Sequence, residues 1–382
     1  MLTREEYIRL CSDELRTAIR TNRHRDPLTV AMDRAVPDAR LVATQLKYLA
    51  RAEAKLPTYA EQGCILPPRA FEQASSERCA AHKPIEGHRV LDLTCGLGVD
   101  AYFLSRRFEE VVTLERNEVL ADVARENFRR LGVTNITVVT ADAEAFVATC
   151  DESFDWIYAD PDRRSESGKK LVRLEDCSPD VLRLMPHLKR LAPRLALKNS
   201  PIFDVDEARR LFPDAAIEVV SLGGECKEVL IFTGEGVTPS LTATALDRGS
   251  YTVTEQQALP TPPPFDPTRY HYLIQPDVAL QKARLVRHHL NGKADCWSEN
   301  GYGFASEQPQ EVLGRIFAIQ AIEPYDPKAL KRTLKGKKAE LMKRDFPIES
   351  SELHRRLGLE TGNEVRLAFT KIGATYWTIR LK

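Results

Sequence analysis

The sequence predicts an α/β protein with a mostly parallel, doubly wound sheet, a helical lobe before it and an α+β module after it. Two observations support this fold class. Short apolar segments alternate with helical segments from about residue 88 to 235, a pattern typical of parallel βαβ units. The first apolar segment, in VLDLTCGLGVD (residues 90–100), ends at a glycine-rich turn that leads into a helix.

Length and composition indicate a soluble protein of two or three domains. The chain has 382 residues, of which 43% are apolar and 29% charged, and domains average roughly 100–200 residues. No apolar run approaches the ~20 residues of a membrane span, and the charged start does not resemble a signal peptide. We therefore expect a cytoplasmic protein that contacts no membrane.

Eight cysteines are scattered along the chain without any C-x-x-C pair. This spacing gives no support for a zinc ribbon or a disulfide framework. We expect reduced thiols and no metal site.

Residues 1–87 are expected to form a helical lobe. The stretches 3–20 and 38–56 carry apolar residues at helical spacing, and Thr3 stands where a helix cap is expected. Pro67, Pro68 and Pro84 mark the end of this lobe.

Residues 88–240 are expected to form a Rossmann-like sheet of seven strands. The strand segments are RVLDLT, VVTLER, ITVVTA, DWIYAD, LALKN, AIEVVSL and VLIFTG. The last two flank Gly223 and Gly224, which predicts an antiparallel hairpin.

The remainder is divided by a proline-rich segment. Residues 259–267 contain five prolines, which suits neither a helix nor a sheet interior, so 241–267 is predicted to be a linker. Residues 268–325 and 326–382 follow as two α+β segments. The last of these is basic, with 14 Lys and Arg against 7 Asp and Glu, and such asymmetry suggests a polyanionic partner.

Acidic residues end four successive predicted strands: Asp92, Glu115, Asp142 and Asp160. Carboxylates repel a pyrophosphate and attract an ammonium group. Glu115 suits ribose hydroxyls, and Asp142 beside the backbone N–H of Ala143 suits an adenine amino group. A ligand with ammonium, ribose and adenine but no phosphate is S-adenosylmethionine.

Each of these acids also has a purely structural interpretation. Asp92 or Asp142 alone can cap a helix, and Glu115 alone can be a solvated strand end. The segment from Gly96 to Ala101 also fits G-x-G-x-x-G/A, which is weak evidence for a dinucleotide site. A nicotinamide-dependent dehydrogenase therefore stays as an alternative.

In combination, these motifs resemble the class I S-adenosylmethionine-dependent methyltransferases over residues 88–235. DLTCGLGVD, Glu115, Asp142 and DPDRR (160–164) stand in the family's order. The segments FEQASSERCAAH (71–82) and KAELMKRDFPIESSELHRRLGL (338–359) resemble bacterial members with a ferredoxin-like segment and a C-terminal THUMP-like domain. The resemblance implies an RNA substrate, rRNA or tRNA, by analogy with true THUMP domains. The cofactor-binding residues that it implies are Asp92, Thr94, Gly96, Gly98, Asp100, Glu115, Asp142 and Ala143.

The same resemblance places Asp160, Pro161, Asp162 and Arg163 at the catalytic position. In amino-methylating relatives, an acid or amide and a prolyl carbonyl hold the exocyclic nitrogen of a base, which aligns it for in-line transfer. Arg163 stands where those relatives have an aromatic residue, so the target atom stays open. Tyr158 and Phe203 are candidates for stacking on the base.

Transfer to nitrogen is favoured over transfer to carbon. Carbon methylation of uridine needs a cysteine nucleophile near the fifth strand, and residues 197–201 read LKNSP. Cys95 lies in the cofactor turn and is expected to pack there.

Basic residues supply the candidate substrate contacts. Arg164, Lys169 and Lys170 follow the catalytic segment, and Lys198 ends the fifth strand. A second basic run lies in the terminal segment, and such runs can follow a nucleic-acid backbone; it comprises Lys328, Lys331, Arg332, Lys335, Lys337, Lys338, Lys343 and Arg344. Both runs can also be solvated surface. An RNA-binding protein with a relic cofactor fold, and an enzyme acting on a protein or small molecule, stay as alternatives.

Overall fold

The computed structural model describes residues 2–162, 174–255 and 258–382. The chain divides into two compact units. The first holds residues 1–215 and 230–237, and the second holds residues 216–229 and 238–382.

Helices and strands are numbered in chain order. The helices are α1 Arg4–Cys11, α2 Asp13–Thr21, α3 Pro27–Ala31, α4 Ala39–Lys55, α5 Pro57–Glu61, α6 Pro68–Gln73, α7 Glu77–Ala81, α8 Val99–Leu104, α9 Glu118–Arg130, α10 Ala143–Thr149, α11 Val181–Leu191, α12 Val205–Leu211, α13 Val278–Lys282, α14 Val286–Leu290, α15 Pro327–Leu334 and α16 Ser350–Leu357. The strands are β1 Gly87–Asp92, β2 Phe108–Glu115, β3 Ile136–Thr140, β4 Trp156–Ala159, β5 Arg194–Asn199, β6 Ala216–Leu222, β7 Glu225–Gly234, β8 Ser240–Ala245, β9 Gly249–Val253, β10 Tyr272–Pro276, β11 Gly303–Ala305, β12 Gly314–Pro324, β13 Lys338–Lys343, β14 Glu360–Thr361, β15 Val365–Ile372 and β16 Thr375–Leu381.

The N-terminal lobe is helical, as the sequence predicts. Thr3 and Glu6 form a reciprocal capping box at the start of α1. The predicted helix over 3–20 is divided at Ser12, whose side chain accepts a hydrogen bond from the N–H of Leu15 and caps α2. The lobe belongs to the same compact unit as the first strands of the sheet, so it is part of the body that carries the site.

The first unit contains parallel strands in the order β3-β2-β1-β4-β5, and the part of β7 that belongs to this unit lies next to β5. The pairs β2–β3, β1–β2, β1–β4 and β4–β5 are parallel. All of β4 is buried, as expected for a strand covered on both faces. The α/β class with a doubly wound sheet is thereby confirmed, and the carboxyl ends of these strands share one edge.

The predicted hairpin joins β6 to β7. Gly223 and Gly224 form its two-residue turn with φ of +63° and +79°, the positive values that a type I′ turn requires at both positions.

Part of the predicted linker is sheet. In the second unit, β6 pairs in parallel with β8, and β8 pairs antiparallel with β9, so residues 240–253 do not form a linker. Leu241, Ala243 and Ala245 alternate with polar residues and are buried, which is the period of a strand. The prolines of residues 259–267 led to a predicted linker that begins too early in the sequence.

The second unit also contains a sheet in the order β11-β10-β12-β16-β15-β13-β14. β12 pairs with both β10 and β16, so the predicted segments 268–325 and 326–382 contribute to one sheet. Leu330 of α15 and Leu353 of α16 share a core with Phe369 of β15.

Within the described part of the chain, no helix is long and apolar enough to cross a membrane.

Candidate active site

The glycine-rich turn after β1 contacts the ends of both neighbouring strands. The N–H of Gly96 donates to Oε2 of Glu115 at 3.0 Å, and the N–H of Asp160 donates to Oγ1 of Thr94 at 2.7 Å. The structure therefore brings together predicted residues from the carboxyl ends of β1, β2 and β4.

Asp92 lies beneath the turn and holds its shape. Its Oδ1 accepts from the N–H and hydroxyl of Thr94, and its Oδ2 accepts from the hydroxyl of Thr113 at 2.7 Å. The residue is 1% exposed, and burial raises the pKa of Asp92 to about 7. The buried carboxylate therefore fixes Thr94 in the turn and places a titratable group directly under it.

The two glycines of the turn have different surroundings. Gly98 has φ of +82°, and a Cβ there would lie 2.5 Å from the ring of Phe128. Gly96 has φ of +54° and nothing within 4 Å of an added Cβ. Gly98 is therefore required for packing, whereas Gly96 faces open space where a ligand can approach the backbone.

Glu115 is held by backbone N–H groups. Its Oε1 accepts from the N–H of Asn117 at 2.9 Å, while Oε2 accepts from Gly96. Burial raises the pKa of Glu115 above its ordinary value. Each carboxylate oxygen has a second lone pair, so the fixed side chain can still accept hydrogen bonds from two hydroxyls.

Asp142 caps α10. Its Oδ1 accepts from the N–H groups of Glu144 and Ala145 at 3.0 and 3.1 Å. The N–H of Ala143 lies in the first turn, where a helix offers it no internal partner. Asp142 is thus a helix cap. Its hydrogen bond to an adenine amino group stays a prediction.

Asp100, in the first turn of α8, is the centre of a charged cluster. Its Oδ2 accepts from the hydroxyl of Ser75 at 2.8 Å and lies 3.5 Å from Nζ of Lys198. Nζ of Lys83 lies 3.7 Å from Oδ1. Burial opposes ionisation of Asp100, but the charges of Lys198 and Lys83 outweigh it and hold the pKa of Asp100 below its ordinary value.

Lys198 also forms an ion pair with Oδ2 of Asp160. The parallel register of β4 and β5 aligns Ala159 with Leu197, so Asp160 and Lys198 follow side by side. The Lys198 side chain is only 11% exposed. The sequence predicts Lys198 as a substrate contact, and in the structure its ammonium lies between two carboxylates.

The rest of the predicted catalytic segment is described in part. Pro161 is buried, and Asp162 exchanges two backbone hydrogen bonds with Ser178. A guanidinium nitrogen of Arg69 lies 3.9 Å from Oδ2 of Asp162. Arg163, Arg164, Lys169 and Lys170 lie outside the described residues, so their predicted roles stay predictions.

The stacking candidates are both in the interior. Tyr158 is 1% exposed and Phe203 is 2% exposed, so neither offers a free face to a base. Cys95 is buried, and burial raises the pKa of its thiol, which suits the predicted packing role.

Three contacts from the N-terminal lobe were not predicted: Ser75 and Lys83 on Asp100, and Arg69 on Asp162. Ser75 belongs to the segment 71–82 that resembles methyltransferases, but a resemblance gives no contact. Lys83 has no sequence signal, since an isolated lysine usually lies on the surface. In the part of the chain that the structure describes, no cluster of His, Cys, Asp and Glu is suited to a metal ion.

Two regions of the chain match models of known protein families. Residues 90–164 match a model described as a methyltransferase domain, and residues 314–381 match one described as THUMP domain-like. The second match begins at Gly314, the first residue of β12, and so includes the shared strand.

Relatives and a solved structure extend the likeness. An uncharacterized S-adenosylmethionine-dependent methyltransferase of Mycobacterium tuberculosis is 26% identical over 325 residues, which cover 80% of this chain and 84% of the relative. Ribosomal RNA small subunit methyltransferase J of Francisella tularensis is 30% identical over 99 residues, 22% of this chain and 41% of that protein. A putative methyltransferase from Porphyromonas gingivalis has a TM-score of 0.79 at 23% identity, with 100% of this chain and 99% of that chain covered.

The match to a methyltransferase domain and the S-adenosylmethionine-dependent relative identify the chain as a methyltransferase. The chain thus combines a match to a methyltransferase domain with a match to a THUMP-like domain near the C-terminus. The resemblance inferred from the sequence is thus confirmed.

Proposed function

We propose that this protein transfers the methyl group of S-adenosylmethionine to a base nitrogen in structured RNA. The observation that carries the proposal is the charge at the carboxyl edge of the sheet. This edge carries four carboxylates but only two lysines. The lysines are Lys83 and Lys198, and the carboxylates belong to Asp92, Asp100, Glu115 and Asp160. A net negative site favours a sulfonium and an ammonium and disfavours a pyrophosphate.

The residues of the turn fit S-adenosylmethionine. Gly96 leaves open space beside its backbone, and Glu115 is held with lone pairs that suit ribose hydroxyls. Asp142 and Ala143 begin α10 where an adenine is expected. When bound, the cofactor supplies an activated methyl group on a sulfonium.

The chain's own contribution is to hold and orient the acceptor. Asp160 Oδ2 is engaged by Lys198, and no described residue donates to its Oδ1. In this proposal, Oδ1 and the carbonyl of Pro161 accept N–H bonds from the target nitrogen. Fixing the lone pair on the line of transfer is an effect of proximity, for which a strong base is unnecessary.

The RNA part of the proposal is supported by a second charged surface. Six basic residues between 328 and 338 are exposed, and none pairs with an acid among the described residues; this basic surface consists of Lys328, Lys331, Arg332, Lys335, Lys337 and Lys338. Unpaired lysines suit RNA phosphates. The match to methyltransferase J, named for ribosomal RNA, points the same way.

Methyl-tritium transfer to separate RNA, protein and metabolite fractions tests the proposal. The fractions should come from a strain that lacks the enzyme, so that acceptor sites are unmodified. We expect label in RNA, at a base nitrogen after digestion. Label in protein or metabolites alone would disprove the RNA substrate.

Calorimetry tests the cofactor independently. We expect S-adenosylhomocysteine to bind and NAD(H) not to bind. Binding of NAD(H) with none of S-adenosylhomocysteine would favour the dehydrogenase alternative.

A further inference from the structure

Asp160 is fixed to the cofactor-turn region through both its backbone and its side chain. Its backbone N–H donates to Thr94, which stands in the turn. Its side chain reaches Asp100, two residues after Gly98, through the shared ammonium of Lys198. Two independent tethers therefore join the end of β4 to the segment that would hold the cofactor.

Lys198 is itself fixed in place. It stands near the end of β5 with 11% of its side chain exposed, and its ammonium lies between carboxylates from two different segments. Asp100 is in turn fixed by Ser75 and Lys83 from the N-terminal lobe. The chain of contacts runs from that lobe to the acceptor carboxylate.

The atoms used by these contacts leave one oxygen of Asp160 for a ligand. Lys198 contacts Oδ2, and within the described residues Oδ1 receives no hydrogen bond. A lysine ammonium has three donors and no acceptor, so it orients the carboxylate without competing for the N–H of a substrate.

We propose that Lys198 is a positioning residue, which locks Oδ2 of Asp160 and thereby aims Oδ1 at the nitrogen that receives the methyl group. This inference rests on the proposed function and differs from a phosphate-binding role for Lys198. A phosphate contact needs an accessible ammonium, whereas this one is almost buried between two acids.

Steady-state kinetics of Lys198→Met on unmodified acceptor RNA, taken from the strain that lacks the enzyme, separate the two roles. A positioning role predicts a fall in kcat of about 10², the cost of misplacing an acceptor by about 1 Å, with the KM for RNA and the salt dependence unchanged. A phosphate contact predicts a higher KM and a salt slope reduced by about 0.7–0.9. That second result would overturn the proposal.

A double-variant cycle tests whether Lys198 acts through Asp160. We expect Lys198→Met/Asp160→Asn to be no slower than Asp160→Asn alone, because residues that act as a unit are not additive. If the double variant lost kcat by the product of the two single-variant losses, the inference would be contradicted. Lys198→Arg should restore part of kcat, since it returns a charge to the site. Lys189→Met, at an exposed lysine of α11, is the control and should match wild type.

Crystal structures of wild type and Lys198→Met, each with S-adenosylhomocysteine, give a readout without activity. We expect the Asp160 carboxylate to rotate away from its wild-type orientation in the variant. An unchanged orientation would refute positioning even if no acceptor were labelled. Should wild type label protein or metabolites instead, the RNA substrate fails, and the same kinetic comparison is made on the labelled acceptor.

Discussion

Lysines at the sheet edge and lysines in the C-terminal module carry the same charge in opposite surroundings. Lys83 and Lys198 are buried and lie against the carboxylates of Asp100 and Asp160. The basic surface at 328–338 is exposed and unpaired within the described residues. Burial and acidic partners thus decide whether a lysine orients a protein group or remains available to a polyanion.

The largest loss of activity is expected when Asp160, the proposed hydrogen-bond partner of the target nitrogen, is replaced. Asp160→Ala removes the oxygen that would hold the target nitrogen while leaving Lys198 paired with Asp100. We expect a loss of about 10²–10³ in kcat, comparable with removing one transition-state hydrogen-bond partner, with S-adenosylhomocysteine affinity retained. Single-turnover methyl transfer and calorimetry measure the two quantities.

The control is Asp151→Ala, at an aspartate whose side chain is 94% exposed. It should behave as wild type. Full activity in Asp160→Ala would remove the catalytic assignment and favour the alternative of a relic cofactor fold.

The exposed lysines of the basic surface should affect RNA binding rather than methyl transfer. Replacing Lys328, Lys331 and Lys335 by Gln should weaken RNA binding and lower the salt slope by about 0.7–0.9 for each lost phosphate contact. The cofactor affinity should not change. Filter binding at several salt concentrations provides the slope.

A matched triple variant removes the same charge from paired residues. Arg355 and Arg356 pair with Glu352, and Arg366 pairs with Glu340. Their replacement by Gln should change the slope much less. Equal slopes in both triples would mean that only net charge matters, and the basic surface would lose its special role.

The sequence predicts which acids stand at the strand ends better than it predicts the residues that those acids contact. Successive strand ends are visible because acids follow apolar runs, and Asp92, Glu115 and Asp160 do lie at one edge. The orientation of Asp92 depends on Thr113 across the β1–β2 register. The pairing of Lys198 depends likewise on the β4–β5 register. Such partners are far apart in sequence, and no local pattern identifies them.

A similar reason explains the linker error. Five prolines within 259–267 dominate the local composition. The alternation of Leu241, Ala243 and Ala245 is a weaker signal, because alanine has low strand propensity. Burial against β6 overrides that propensity.

Burial of Asp92 makes cofactor binding depend on pH. Burial raises the pKa of Asp92 from 3.8 to about 7, so its contribution to stability is full near pH 3 and is lost as pH rises to about 7. A cationic cofactor favours the ionised form. Affinity for S-adenosylmethionine should therefore fall by about tenfold from pH 8 to pH 6.

Calorimetry in buffers of different ionisation enthalpy measures the proton released on binding at pH 6. Asp92→Asn keeps an oxygen acceptor for Thr94 and should bind with little dependence on pH. A wild-type affinity that is flat between pH 6 and 8 would mean that the charge of Asp92 does not act on the cofactor.

The smallest effect concerns the base-stacking surface. Ile202 follows β5 and is 54% exposed, whereas Tyr158 and Phe203, the candidates from the sequence, are buried. An exposed isoleucine beside the strand that carries Lys198 suits an apolar contact with the target base.

We expect Ile202→Ala to raise the KM for RNA about fivefold, the equivalent of about 1 kcal/mol of lost apolar contact. The value of kcat should stay near wild type, because Lys198 and Asp160 are untouched. Leu28→Ala, at an apolar residue of α3 that is 74% exposed, serves as the control and should not change KM. If both variants raise KM equally, general surface hydrophobicity explains the effect, and the base must contact another side chain.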